Sequence, residues 1–295
     1  LGAVQGLTEF LPVSSSGHLA IFQHFFGLND NNLFFNVMLH VGTLTAVCAV
    51  YWRLFLRLIK SFFRILKKIF TRKFKWGEMD ADENLVLMLI IGLLPLFLPI
   101  GGGMKIKDLA DKWNSDGYLI ITSISLLVTS FLLVIGINAN RKTTILYKSH
   151  GKLRADGAGR RKLNPVDAVF IGLFQAVAAI FPGISRSGST LTAGELRKIN
   201  KQRALDYSFV LGTPAIIAAA LLEGKDALFP ADGSAVSIEF FPTLIGIITS
   251  AIVGFLAIRL FKWLLSTNRM YYFVLYTAGA GIICLVISII ELISG

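Results

Sequence analysis

Apolar positions in this chain fall in long continuous runs rather than in the one-sided stripes of a water-soluble helix. Six such runs lie at about 33–52, 85–101, 118–138, 207–222, 240–258 and 271–293. Each is close to the roughly 20 residues that carry a helix across a ~30 Å hydrocarbon core. The second, LVLMLIIGLLPLFLPIG, and the fourth, YSFVLGTPAIIAAALL, contain proline. Membrane helices tolerate it where neighbours re-satisfy the freed backbone groups. Two further apolar stretches, about 1–12 and 167–182, are too short or too broken to span. Each ends in a proline followed by a cluster of serine and glycine. The pattern predicts an all-α polytopic membrane protein forming one integral membrane domain over residues 1–295.

The polar connections give the runs a direction, because Lys and Arg mark cytoplasmic loops. The loop at about 53–82 is strongly basic, with Arg53, Arg57, Lys60, Arg64, Lys67 and Lys68 in its first half. In that half, cations recur every three or four residues between apolar ones. This reads either as an amphipathic helix lying on anionic lipid or as a continuation of the crossing helix. The loop 139–166 is basic as well, and the turn around Arg259, Lys262 and Arg269 carries no acid, so all three lie inside. Loops 102–117 and 223–239 are balanced or acidic, so they lie outside. The assignments alternate only if 167–206 enters and leaves on the inner side and the first stretch enters and leaves on the outer side. Six crossings plus two re-entrant helical hairpins follow, one hairpin from each face.

The two broken stretches also match each other. In GAVQGLTEFLPVSSSGH and GLFQAVAAIFPGISRSGS, Gly2 aligns with Gly172, Gln5 with Gln175 and Pro12 with Pro182. After one inserted residue, Ser14 aligns with Ser185, Ser16 with Ser187 and Gly17 with Gly188. Each copy is followed by three crossings, and charge alone gives the copies opposite orientation. That is an inverted repeat of about 1–138 and 167–293, with interrupted helices meeting near the midplane.

Irregular polar backbone at membrane depth is tolerated only where protein buries it or it lines a wet cavity. Serines are good N-caps, and free N–H groups at a helix start bind anions. Two facing helix starts, with Ser16, Gly17, Ser185, Ser187, Gly188 and Thr190, suit a phosphate. Arg186 adds a planar fork of donors, and an arginine within a membrane fold is a functional candidate by default. Pairing of Arg186 with Glu9 is compatible with that role. Gln5 and Glu9, four apart, share a helix face. Glu9 can hold a divalent cation, act as acid or base, or orient His18; Gln5 can add only a neutral oxygen. His18 can move a proton at neutral pH, and Ser14 and Ser15 are candidate nucleophiles. His24 and His40 read as core or interface residues, and His150 as a loop residue.

Composition narrows the class further. The 295 residues are 54% hydrophobic with a mean hydropathy of +0.67, and only 16% are charged, against about a quarter in soluble domains. The net charge of +11 follows the inner loops, so it speaks for membrane lipid and not for nucleic acid. Cys48 and Cys284 sit in apolar runs and read as small hydrophobes. The chain opens at Leu1 without methionine, which implies a few preceding residues, and it shows no cleavable signal layout.

At its two tips the sequence resembles the undecaprenyl pyrophosphate phosphatases of the BacA/UppP type. QGLTEFLPVSSSGH at 5–18 resembles that family's (E/Q)xxxE segment with its Ser-Ser-x-Gly-His, and PGISRSGST at 182–190 resembles its second motif. The hydropathy pattern matches over essentially the whole chain. The resemblance implies a multi-pass enzyme of the bacterial plasma membrane that hydrolyses undecaprenyl diphosphate to the monophosphate. That recycles the lipid carrier of peptidoglycan synthesis and confers bacitracin resistance. It implies catalytic roles for Glu9, Ser14, Ser15, His18 and Arg186, supporting roles for Ser185, Ser187 and Thr190, a site open to the outer face, and a magnesium or calcium ion. It is compatible with a homodimer. Gln5 stands where other members carry a second glutamate, so a cation at Gln5 and Glu9 would have one carboxylate only. A transporter or flippase for a lipid phosphate is the rival reading, since inverted repeats are also a transporter signature. A nucleophile beside a base favours chemistry. A membrane scaffold would not explain why polar residues gather at the tips.

Overall fold

The computed structural model describes residues 1–26, 33–97, 118–155, 157–181, 183–228 and 240–294. These residues form ten α-helices: α1 Gly2–Phe10, α2 Ser15–Phe26, α3 Leu33–Phe70, α4 Ala81–Leu93, α5 Tyr118–Ser149, α6 Pro165–Ile180, α7 Arg186–Leu196, α8 Lys201–Leu228, α9 Phe240–Ser266 and α10 Tyr271–Ser294. Four of them, α3, α5, α9 and α10, are long and apolar enough to cross a membrane. The protein is therefore an all-α, multi-spanning membrane protein. Loop 102–117, residues 229–239 and Pro182 lie outside the described residues.

Lipid-facing stripes are plain on α9. Phe241, Ile245, Ile248, Ile252 and Leu256 recur every three or four residues, and all are exposed, while Gly246, Ser250, Gly254 and Ala257 are buried on the other face. Exposed apolar side chains at that period suit hydrocarbon, not water. The small buried residues let helices approach closely. A Cβ on Gly6 of α1 would come 2.9 Å from the backbone of Gly254, and one on Gly172 of α6 would strike the backbone of Gly92 in α4. So α1 seats on α9 as α6 seats on α4.

The basic stretch 53–70 continues the crossing helix instead of lying flat, with non-helical angles at Tyr51 only (φ −109°, ψ 16°). Ion pairs hold it against the start of α4: Arg57 to Asp82 at 3.2 Å, Arg64 to Asp80, and Lys68 to Glu83 at 2.6 Å. The second expected crossing begins earlier than the apolar run, at Ala81, because Asp80 and Glu83 form a capping box there; it passes into a 3₁₀ turn at Leu94–Phe97. The start of α6 is built alike. Asn164 and Asp167 form a capping box, and Asp167 accepts from Arg160 and Arg197.

At the centre lies α7. Its sequence, RSGSTLTAGEL, is polar, yet Ser187 through Glu195 are all buried. Most of its hydroxyls are met by backbone and side chains: Thr190 Oγ1 lies 2.5 Å from Ser208 Oγ, and Thr192 Oγ1 donates to Leu132 O at 3.1 Å, while Ser189 Oγ is buried without a partner among the described residues. A polar helix is stable here because neighbouring helices supply its partners.

Candidate active site

The breaks between α1 and α2 and between α6 and α7 meet each other. Ser14 caps α2, its Oγ accepting from Gly17 N at 3.2 Å; Ser185 caps α7, its Oγ accepting from Gly188 N at 3.1 Å. The contacts across the two breaks are reciprocal. Gly183 N donates to Ser16 Oγ at 3.3 Å, and Ser187 Oγ donates to Leu11 O at 3.1 Å. Gly17 faces Gly183 and Gly188 faces Pro12, each with room for a hydrogen where a Cβ would come within 3.2 Å. Ser14 holds a left-handed φ of 73°, a conformation uncommon outside glycine. Thr129 of α5 braces the second tip, accepting from Ser185 N at 3.0 Å and lying 3.3 Å from Gly183 O.

A hydrogen-bonded chain of side chains lies beside these tips. Glu9, at the end of α1, is buried. Its Oε2 accepts from Ser15 Oγ at 2.6 Å and from Gln5 Nε2 at 3.1 Å; its Oε1 accepts from Arg186 Nη2 at 2.7 Å. Gln5 Nε2 also lies 3.0 Å from His40 Nδ1, which is 3.8 Å from Glu9 Oε2. A buried carboxylate needs such partners, since an unpaired one would be strongly disfavoured. Two atoms of the cluster are left without one: Arg186 Nη1 and Gln5 Oε1 are buried and make no hydrogen bond among the described residues. A cationic donor and a neutral oxygen thus remain unpaired in the cluster around Glu9. Gly212 of α8 makes room for the guanidinium, because a Cβ there would overlap Arg186 Nη1.

The expected residues therefore divide. Gln5, Glu9, Ser15 and Arg186 come together. Ser14, Ser16, Ser185, Ser187 and the glycines Gly17 and Gly188 build the tips that hold them, and Thr190 braces α7 by donating to Arg186 O at 2.8 Å. His18 is turned elsewhere. Its Nδ1 donates to Ser14 O at 2.8 Å, which leaves Nε2 of the neutral ring to accept from the Tyr276 hydroxyl at 2.7 Å. The rings stack with centroids 5.5 Å apart. His40, expected in a core or interface, belongs to the cluster. Its signal was a titratable residue within the apolar run FFNVMLHVGTL, which at membrane depth is costly unless used. Gly212 had a signal too: Gly42-Thr43 and Gly212-Thr213 keep the spacing of Gly2 and Gly172. Tyr276 had none.

The two copies of the repeat are not equivalent in chemistry. Gln175 is buried like Gln5, but Ala179 stands four residues on, where Glu9 follows Gln5, and neither amide atom of Gln175 has a partner among the described residues. No group of three His, Cys, Asp or Glu side chains suited to a metal occurs among the described residues.

The sequence profile described as "Bacitracin resistance protein BacA" matches residues 1–283. The chain is 36% identical over 293 residues to the undecaprenyl-diphosphatase of Alkaliphilus metalliredigens, covering 98% of this chain and 97% of that one. It is 35% identical over 288 residues to undecaprenyl-diphosphatase 4 of Bacillus thuringiensis subsp. konkukian (97% and 94%). It is 34% identical over 282 residues to the undecaprenyl-diphosphatase of Treponema denticola (96% and 93%).

Proposed function

Since this chain belongs to the family described as bacitracin resistance protein BacA, we propose that it hydrolyses undecaprenyl diphosphate to undecaprenyl phosphate and inorganic phosphate in the bacterial plasma membrane, recycling the carrier of cell-wall precursors and conferring bacitracin resistance. The observation that carries this reading is the chain Ser15–Glu9–Arg186, with Arg186 Nη1 unpartnered beside it. Arg186 receives the terminal phosphate on its guanidinium. Glu9 accepts the proton of Ser15 Oγ as that oxygen forms a bond to the terminal phosphorus; the bond to the bridging oxygen breaks, and the lipid monophosphate leaves with the electron pair and takes up that proton. A water then attacks the phosphoserine while Glu9 takes its proton; the bond to Ser15 Oγ breaks, the proton returns to that oxygen, and inorganic phosphate is released. Helix-start amides and Arg186 stabilise the charge on the transferred group, the main lever in phosphoryl transfer. The isoprenoid stays between helices.

A divalent cation, magnesium or calcium, fits this donor set: Gln5 Oε1 is a buried hard oxygen without a partner, and Glu9 is the one carboxylate beside it. When bound, the cation would neutralise phosphate charge. His18 acts at a distance from the carboxylate, holding the start of α2 to α10 through Tyr276. The reciprocal contacts of the two tips support an inverted repeat of α1–α5 and α6–α10. The lengths of α1 and α7, about 14 and 17 Å at 1.5 Å per residue, support re-entrant hairpins over crossings. The charge pattern of the loops supports a site open to the outer face.

The test is phosphate release from a long-chain prenyl diphosphate by protein in detergent, with magnesium or with EDTA. Glu9→Gln and Ser15→Ala are each expected to lose about 10²-fold or more of activity with unchanged melting. Wild-type folded protein that releases no phosphate under any cation would overturn the reading and leave lipid transport.

A further inference from the structure

A second polar cavity lies from Tyr51 onward on α3, toward the basic end of that helix. It measures about 510 Å³ and opens between α3, α4, α8 and the segment before α6. Its rim carries Arg57, Arg161, Lys162 and Arg203 against only Asp82 and Asp206. Both acids are already engaged. Asp82 pairs with Arg57 at 3.2 Å; Asp206 accepts from the Tyr51 hydroxyl at 2.7 Å and pairs with Lys262 at 3.3 Å, while Lys262 also lies 4.1 Å over the Tyr51 ring. Lys162 and Arg203 are exposed, and their side chains make no ion pair among the described residues. The cavity thus holds surplus positive charge that its own carboxylates do not cancel. Leu54, Leu85 and Leu163 line it beside the cations.

We propose that this cavity binds the phosphodiester headgroup of an anionic phospholipid of the surrounding leaflet. A free anion would use the cations alone. A lipid uses both parts of the lining: its phosphate meets Arg203 and Lys162, and the first carbons of its chains rest on Leu54, Leu85 and Leu163. Basic pockets between helices at the inner side of a membrane suit this chemistry, and each cation near the headgroup adds to affinity. The non-helical angles at Tyr51 fall where α3 borders the cavity, so an occupant would brace the bend through Tyr51 and Asp206. The site is separate from the proposed phosphatase centre and does not rest on it.

The test is thermal unfolding of the full chain in a neutral detergent, titrated with dioleoylphosphatidylglycerol, dioleoylphosphatidylcholine or inorganic phosphate. Phosphatidylglycerol is expected to raise the melting temperature saturably. Phosphatidylcholine and phosphate at the same concentration are not. In the double variant Lys162→Gln/Arg203→Gln the half-saturating concentration rises roughly tenfold or more. The control Lys73→Gln/Lys75→Gln removes the same charge outside the cavity and leaves it unchanged. Equal loss in both double variants would mean attraction by overall charge and would overturn the site. So would an equal rise with inorganic phosphate, which would mean a small-anion site. Should the double variant melt without lipid, Arg203→Gln alone gives the same comparison.

Discussion

At the scale of single residues, Glu9 is the hub, and Gly212 shows how its geometry is kept. A methyl group at residue 212 would occupy the place of the Arg186 guanidinium. A flexible side chain can yield where backbone cannot, so Gly212→Ala should fold. Its arginine, however, would leave both Glu9 and the phosphate position. We expect phosphate release to fall about 10²-fold or more, the size of losing one positioned charge donor in the transition state, with the melting temperature within a few degrees of wild type. Wild-type turnover in a well-folded Gly212→Ala would mean that Arg186 does not hold the phosphate. Much of this cluster was legible from sequence. Gln5, Glu9, Ser15 and Arg186 are polar residues with no other reason to stand in apolar segments. The histidines were not, because their roles depend on direction. His18 neighbours the serines in sequence, but its ring turns to Tyr276, 258 residues away; His40 looks isolated in its run but reaches Gln5 from another helix.

At the scale of elements, the legible part was the apolar runs, and the illegible part was how far each helix extends past them. Hydropathy stops near residue 52, yet α3 runs on to Phe70, since ion pairs with α4 replace lipid as its support. The same region gives a pH dependence. The Asp80 carboxylate accepts from Glu83 N at 2.7 Å and pairs with Arg64, and these hold it below the usual carboxylate range. A group with a lowered folded value stabilises at pH above its unfolded value, about 3.9, and that contribution is lost as pH falls through the folded value. Removing the cap costs about 1 kcal/mol. Asp80→Ala should therefore melt below wild type from pH 7 to pH 5, with the gap narrowing below about pH 4 as the charged part is lost and the neutral cap bond remains. Asp80→Asn keeps a neutral cap acceptor and should melt between wild type and Asp80→Ala at pH 7, without the pH dependence. A gap that persists unchanged at pH 3 would mean that the charge is not what Asp80 contributes.

At the scale of the whole molecule, the arrangement makes a claim about sides. Lys152 and Lys198 flank α6 and α7, and α7, with 11 residues, is about 17 Å long at 1.5 Å per residue, too short for a ~30 Å core. That length supports the proposed entry and return of the pair on one side, which fixes where its flanks should react. Trp76 stands beyond α3 on the side toward which its cations point. In a Cys48→Ala/Cys284→Ala background, single replacements Trp76→Cys, Lys152→Cys and Lys198→Cys should resist a membrane-impermeant maleimide in intact cells and react after permeabilisation. Ser115→Cys, in the loop read as outside, should react in intact cells. Reaction of Lys198→Cys but not Lys152→Cys from outside would make α6–α7 a crossing. It would remove the opposed orientation of the two repeats, and with it the reason for two helix starts to face each other at one depth. Protection of all three inner positions would leave the two tips as the only polar segments that enter the bilayer from opposite faces. It would also give a physical reason for both motifs to be needed at one site: the carboxylate would arrive from one face and the arginine from the other, to meet around a phosphate attached to a tail soluble only between them.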